Sequence, residues 1–406
     1  MLVRQPFEKQ FVVLLPRKDC KCSNKIYFCK TSAEKYFEMA FKSVFDQYNW
    51  NLVSERFSAF TAQEVEQALY KKGKRTLDDF AALISPAAAP YLEQMAQISQ
   101  EITLRRFGNT VQMYAPAYLS NECHNICTYC GFSFDNKIAR LTLSEEQMHR
   151  EFEAIKTLGF DHILLVTGEA NATVHTEYFN KAIDIANQYF SNISIEVQPL
   201  EEEDYKSMHE HGAYAILVYQ ETYHQANYPK YHPKGKKSNF YYRLDTPDRV
   251  GRAGFHKIGL GVLLGLEDWR TDSFFTALHL DYLEKKYWQT KFSISFPRIR
   301  PNESCFEPNV HMSDKELVQL MCAYRIFNEN VELSISTRES AAFRDNAFKF
   351  GATSMSAGSK TEPGGYALNS EALEQFTIDD QRTPQQFARV IRNSGYEAVW
   401  KDWFQQ

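Results

Sequence analysis

The sequence predicts an α/β fold: a closed (β/α)8 barrel of the TIM type, with an N-terminal helical segment before it and a C-terminal helical extension after it. Three observations predict it. Beyond residue 110, short apolar runs alternate with longer amphipathic, charged segments, which is the rhythm of parallel βα units. Eight such runs fit in roughly 250 residues, the usual length of a barrel. The intervening segments end in "LGF" or "HGA", where a glycine stops a helix and the chain re-enters a strand. An open barrel of six strands is the alternative, because the last two runs carry the weakest signal.

Residues 1–38 stand apart. They are mildly basic, lack a sustained period, and read as a disordered tail or an over-extended gene start with Met39 as the initiator. Their Cys20, Cys22 and Cys29 have no paired CxxC and no histidine nearby, so no second metal site is expected. Residues 39–110 read as helices packing on the barrel. "MAFKSVFDQYNWNLVSERF" is helical in pattern, and Thr61 and Thr76 stand as caps before "AQEVEQALYKK" and "LDDFAALISP". The barrel is expected over 111–375. Its strands are expected at 111–119, 162–168, 193–199, 213–220, 257–265, 292–299, 332–339 and 352–359, with helices at 144–160 and 201–213 among the connections. Residues 376–406 form the extension. In such a barrel the chemistry sits at the C-terminal ends of the strands.

Composition narrows the function classes. Of 406 residues 44% are apolar and 24% charged, with a net charge of -5, as in soluble globular proteins. Apolar runs fall short of the ~18 residues a membrane helix needs, and "FVVLL" at 11–15 is too short for a signal peptide. The charge balance argues against nucleic acid as a partner, and "KGKK" at 234–237 reads as solvated loop charge. The eight cysteines cluster rather than spread, which favours metal chemistry in a reducing, cytoplasmic compartment.

The stretch "CHNICTYC" follows the first strand and places Cys123, Cys127 and Cys130 at i, i+4 and i+7 in the first βα loop. Structural zinc takes four protein ligands, so three thiolates make an open site. A [4Fe-4S] cluster held by three cysteines leaves one iron free for a small chelating ligand. A zinc or redox-thiol loop is the alternative, with His124 as a fourth ligand.

The pattern CxxxCxΦC, with Tyr129 as the aromatic Φ, resembles the signature of the radical S-adenosylmethionine superfamily. The resemblance implies that the three cysteines hold the [4Fe-4S] cluster. It also implies that the open iron binds S-adenosyl-L-methionine, whose reductive cleavage gives a 5′-deoxyadenosyl radical. "TGE" at 167–169 is similar to the family's "GGE". By that similarity the carbonyls of Thr167 and Gly168 and the carboxylate of Glu169 hold the S-adenosylmethionine amino group. Glu196, Gln198 and Glu221 would contact its ribose or methionine part, and Arg249 in "TPDRVGRAG" its carboxylate. In "GLGVLLGLE" (259–267) Leu263 would pack on the adenine, unless the stretch is a buried strand with two close-packing glycines.

Longer text narrows the resemblance. "LSNECHNICTYCGFS", "EVQPL", "SFPRIRP", "LSISTRES", "KTEPGGY" and "VWKDW" together resemble the tyrosine lyases of thiamine thiazole biosynthesis, the 2-iminoacetate synthases, over about residues 40–406. This implies cleavage of the Cα–Cβ bond of L-tyrosine to 2-iminoacetate and p-cresol, after hydrogen abstraction from the amino group. It also implies a reducing partner such as flavodoxin and delivery of the product to a thiazole synthase. A substrate carboxylate needs a guanidinium. Arg338 in "STRES" is the first choice, with Ser336 as a second donor, and Arg300 and Arg298 follow. The alternative for each arginine is a salt bridge to a carboxylate such as Glu339. Tyr118 is a candidate for the substrate amine. Two rivals remain: a maturase-type tyrosine lyase with a second cluster, and an inactive iron–sulfur or zinc module. From Ala323 onward the chain has no cysteine, which argues against a second cluster there.

Overall fold

The computed structural model describes residues 39–368 and 374–401, and residues 40–406 cluster as one compact unit. The expected tail, with Cys20, Cys22 and Cys29, lies outside the described residues. Each of the eight apolar runs contains a strand: β1 Thr110–Ser120, β2 His162–Thr167, β3 Asn192–Glu196, β4 Ala215–Leu217, β5 Lys257–Gly261, β6 Lys291–Ser295, β7 Glu332–Ile335 and β8 Ser354–Ser356. All pair in parallel in chain order, and β1 pairs with both β8 and β2, which closes the barrel. The weak last runs are therefore strands, and the six-stranded alternative falls.

A ninth strand was not foreseen. β9, Glu397–Val399, pairs in parallel with the start of β1, Thr110 opposite Glu397. The extension is thus one helix, Pro384–Asn393, followed by a strand. Three residues are too few to show a period, so nothing in the sequence distinguished this strand from loop.

The helix signals hold at their ends. Thr61, Thr76 and Ser144 each close a reciprocal capping box with a side chain three residues on. Gly159 and Gly212 follow their helices with φ of +98° and +102°, the conformation that ends helices at glycine. The long pattern at 39–57 breaks in two, Phe41–Phe45 and Trp50–Arg56, because the Asn49 side chain accepts from the Leu52 N–H and starts a new helix. The N-terminal helices are tied to the barrel's outer layer. Gln319, on helix Asp314–Phe327, donates to the carbonyls of Leu83 and Ser85 at 2.9 Å each, and Ser99 donates to Phe350 at 2.7 Å.

Residue alternation gives the barrel two unlike faces. Ile163, Leu165, Ile193, Ile195, Ile294 and Leu333 are buried on the helix-facing side. Between them Ser194, Ser293, Ser295, Ser334 and Ser354 line cavities inside the barrel. The helices supply most of the apolar burial, and the interior mixes these serines with Leu164, Val166 and Leu217.

Candidate active site

The C-terminal strand ends surround a cavity of about 190 Å³. Cys123, Cys127 and Cys130 line one wall, all as free thiols. Their loop is held in place by backbone bonds. The Cys127 N–H donates to Ser133 Oγ at 3.0 Å, Ile126 N–H to the Lys234 carbonyl at 3.0 Å and Thr128 N–H to the Tyr231 carbonyl at 3.1 Å. Burial pushes the Cys123 thiol up to about 11 and raises Cys127 well above its ordinary value, with Lys237 opposing the latter shift. Such thiols ionise when a cation replaces their protons. Among the described residues no three His, Cys, Asp or Glu side chains close on one point as a single ion requires. His124 is exposed, so a zinc site completed by His124 has no geometric support. Three thiols lining one cavity would suit a cluster, whose several metal atoms do not require them to close on one point.

Beside the thiols, Thr167, Gly168 and Glu169 line the cavity. A Cβ on Gly168 would fall 2.1 Å from the Glu122 carbonyl oxygen, so only glycine lets the strand end pass this close to the cysteine loop. The buried Thr167 hydroxyl has no protein partner among the described residues, which leaves a polar group available to a ligand here. Glu169 accepts from Arg243 and from Asn125 at 2.8 Å each. Although burial opposes it, Arg243 and Lys237 hold the Glu169 carboxyl below its ordinary value. Glu221 pairs with Lys237 at 2.7 Å and adopts a φ of +71°, a left-handed conformation rare for a side chain of this size. Leu263 is buried against Cys127 and Tyr129, and the Tyr129 hydroxyl bonds His232 Nε2 at 2.8 Å. Glu196 also lines the cavity; burial lifts its carboxyl to about 7, with Arg338 opposing.

The ends of β6 and β7 carry the arginines, and the structure separates them. Glu339 is fully buried and accepts from both Arg298 and Arg300, the latter at 3.0 Å, and Arg298 also pairs with Asp314 at 2.8 Å. Arg338 lines the cavity and makes no ion pair among the described residues. Its guanidinium lies 3.3 Å from the centre of the Phe376 ring, which fixes its plane. Ser336 lines the cavity beside it and accepts from the Arg338 N–H at 3.3 Å. Tyr118, also in the lining, donates to Gln375 at 2.8 Å.

Two expected residues lie elsewhere. Gln198 is buried outside the cavity lining and donates to the Val174 carbonyl at 3.0 Å. It lies two residues beyond the end of β3, where this bond to the β2–β3 connection rather than strand alternation sets its facing. Arg249 is buried in helix Thr246–Arg252 and spends its N–H groups on Leu200 and Tyr242 carbonyls, Thr246 and Asp245. It ties that helix to the end of the β3 loop.

One expectation is reversed and several residues were missed. Lys237, in the "KGKK" read as solvated, is inside the cavity between Glu221 and Glu169. Arg243, Asn125 and Gln375 complete the inner polar frame. The one available signal was charge: residues 222–244 hold four lysines and an arginine with no Asp or Glu.

Comparison with known proteins identifies the family. Residues 118–277 match the Radical SAM superfamily, and residues 295–397 match the Biotin and Thiamin Synthesis associated domain. The 2-iminoacetate synthase of Escherichia coli (strain K12) is 49% identical over 358 residues, covering 88% of this chain and 95% of the relative; that of Salmonella typhimurium matches over the same extents. Among solved structures, the [FeFe]-hydrogenase maturase HydG superposes with a TM-score of 0.81 at 29% identity, covering 86% of this chain and 79% of HydG. Methylornithine synthase (PylB), at 18% identity and a TM-score of 0.66, shares the fold. The sequence match across nearly all of both chains, with three free cysteines on the wall of a closed barrel, places this chain in the 2-iminoacetate synthase family of radical S-adenosylmethionine lyases.

Proposed function

We propose that this cavity cleaves the Cα–Cβ bond of L-tyrosine to 2-iminoacetate and p-cresol, for the thiazole moiety of thiamine. The observation that carries the reading is that two unlike groups share one cavity. Three free thiols line it, and so does Arg338, which makes no ion pair among the described residues. Cys123, Cys127 and Cys130 would hold a [4Fe-4S] cluster, with Thr167, Gly168 and Glu169 beside S-adenosylmethionine. When bound, that pair supplies a hydrogen-abstracting 5′-deoxyadenosyl radical. Arg338 and Ser336 hold the substrate carboxylate, which turns the amino group across the cavity toward the cysteine wall. Glu196, Glu221 and Tyr118 line the space between. The residues need supply no strong acid or base at the breaking bond; they orient the amine and exclude water.

The bookkeeping balances: tyrosine divides into 2-iminoacetate and p-cresol without net oxidation. The two electrons used to cleave S-adenosylmethionine and to reduce the hydroxybenzyl fragment come from an external donor such as flavodoxin. Because 2-iminoacetate hydrolyses in water, direct transfer to a thiazole synthase suits this chemistry. The likeness to HydG favours one rival, a maturase-type lyase. The absence of cysteine after Cys322 leaves no donors there for a second cluster. The test is an anaerobic assay of the reconstituted protein with reductant, S-adenosylmethionine and L-tyrosine. Equal amounts of 5′-deoxyadenosine, p-cresol and glyoxylate are expected; cyanide would establish the maturase reading, and no 5′-deoxyadenosine would establish an inactive module.

A further inference from the structure

We propose that the barrel floor holds a dedicated subsite for the phenol of the substrate, built from two hydroxyl pairs: Tyr114 with Ser334, and Tyr219 with Ser295. The inference rests on the tyrosine-lyase reading above. Tyr114 Oη lies 3.2 Å from Ser334 Oγ, and Tyr219 Oη donates to Ser295 Oγ at 3.0 Å. All four residues line the main cavity, and Tyr114, Ser295 and Ser334 also line a smaller cavity of about 30 Å³ beneath it. They therefore mark the deep end of the main cavity.

Strand order sets the depth. Ser334 and Ser336 both face the interior, and Arg338 follows two residues later. On β1, separated from β7 only by β8, Tyr114, Pro116 and Tyr118 line the same cavity at the same spacing. The rise of four residues from Tyr114 to Tyr118, all within β1, spans about 13 Å of strand. A barrel tilt of ~36° reduces this to a depth of ~10 Å. An extended tyrosine with its carboxylate at Arg338 and Ser336 would reach this floor with its hydroxyl. Leu164 and Leu217 line the cavity at floor level, where the ring would lie. Chemistry matches position. Each hydroxyl has one donor and two acceptor sites, so a pair that uses one bond keeps capacity to donate to, and accept from, a phenol. The main chain has made room for one pair: a Cβ on Gly261 would fall 2.9 Å from the Tyr219 ring and 3.1 Å from the Ser295 carbonyl oxygen. The first part of "GLGVLLGLE" thus seats Tyr219.

The test compares L-tyrosine with L-phenylalanine, by equilibrium binding to holoenzyme with S-adenosylmethionine and by KM against kcat. Wild type is expected to prefer tyrosine on the order of 10²-fold or more, since a site built for a hydroxyl leaves its own groups unpaired against the analogue. In Tyr114→Phe with Tyr219→Phe, tyrosine binding should weaken ~10-fold or more while phenylalanine binding holds, so the preference collapses. Ser334→Ala with Ser295→Ala, a smaller change, should lower the preference in the same direction and serves if the first pair fails to fold. An unchanged preference in soluble variants would overturn the subsite, as would equal loss of both ligands. Wild-type holoenzyme that binds neither amino acid would instead overturn the tyrosine-lyase reading.

Discussion

The two walls of the cavity treat charge in opposite ways. On the cysteine side Glu169, Glu221, Lys237 and Arg243 neutralise one another within a few ångströms, and Asn125 closes the frame. On the arginine side Glu339 occupies Arg298 and Arg300 and leaves Arg338 without a carboxylate. A saturated frame is rigid and pre-formed, which suits a cofactor that must sit in one place. An uncompensated buried guanidinium, its ionisation disfavoured by burial, suits a substrate anion that brings the missing charge. The difference separates holding from recognising within one cavity.

Substitutions on the two walls should therefore fail in different ways. Cys127→Ala has the largest expected effect: loss of the iron–sulfur absorption bands and of 5′-deoxyadenosine formation, a drop of at least ~10³-fold if other ligands retain some cluster. Lys237→Met removes the 2.7 Å partner of Glu221 and leaves Arg243 alone to balance both Glu221 and Glu169. It should cost roughly 3–5 kcal/mol of stability, read as a fall in urea midpoint, before any kinetic effect is considered. Arg338→Gln should leave stability nearly unchanged and raise KM for tyrosine by ~10–100-fold.

Glu196 lies between the walls, and its effect is smaller and depends on pH. Its folded carboxyl is raised to about 7 by burial. The folded protein thus binds this proton more tightly than the unfolded chain does. That stability is full below the ordinary carboxyl range and is lost as pH rises toward 7. Glu196→Gln should gain stability over wild-type apoprotein between pH 5 and pH 8, by on the order of 2 kcal/mol. The gain should grow as pH rises toward 7; a difference that does not change with pH would place the carboxylate in a solvated setting.

The sequence carried the barrel well and the charge pairing poorly. Eight strand runs, the capping residues Thr61, Thr76 and Ser144, and the cysteine spacing are local patterns that chain order preserves. β9 was missed because three residues carry no period. Lys237 was misread because burial of one lysine in a run of exposed ones depends on Glu221 and Glu169, which lie 16 and 68 positions away. The same holds for the arginines: Arg298, Arg300 and Arg338 look alike in sequence, and only the placement of Glu339 separates them. Gln198 fell outside the cavity because the chain leaves β3 after Glu196 and strand alternation no longer sets its facing, and Arg249 because it lies in helix Thr246–Arg252 rather than at a strand end.

The most direct test of two walls with separate duties is the coupling of products in Arg338→Gln against Arg300→Gln holoenzyme, each with S-adenosylmethionine, reductant and saturating L-tyrosine. Arg338→Gln should keep its cluster spectrum and still form 5′-deoxyadenosine, while p-cresol per 5′-deoxyadenosine falls well below the wild-type ratio. Arg300→Gln should keep that ratio near wild type. Wild-type coupling in Arg338→Gln, or loss of its cluster, would contradict the division.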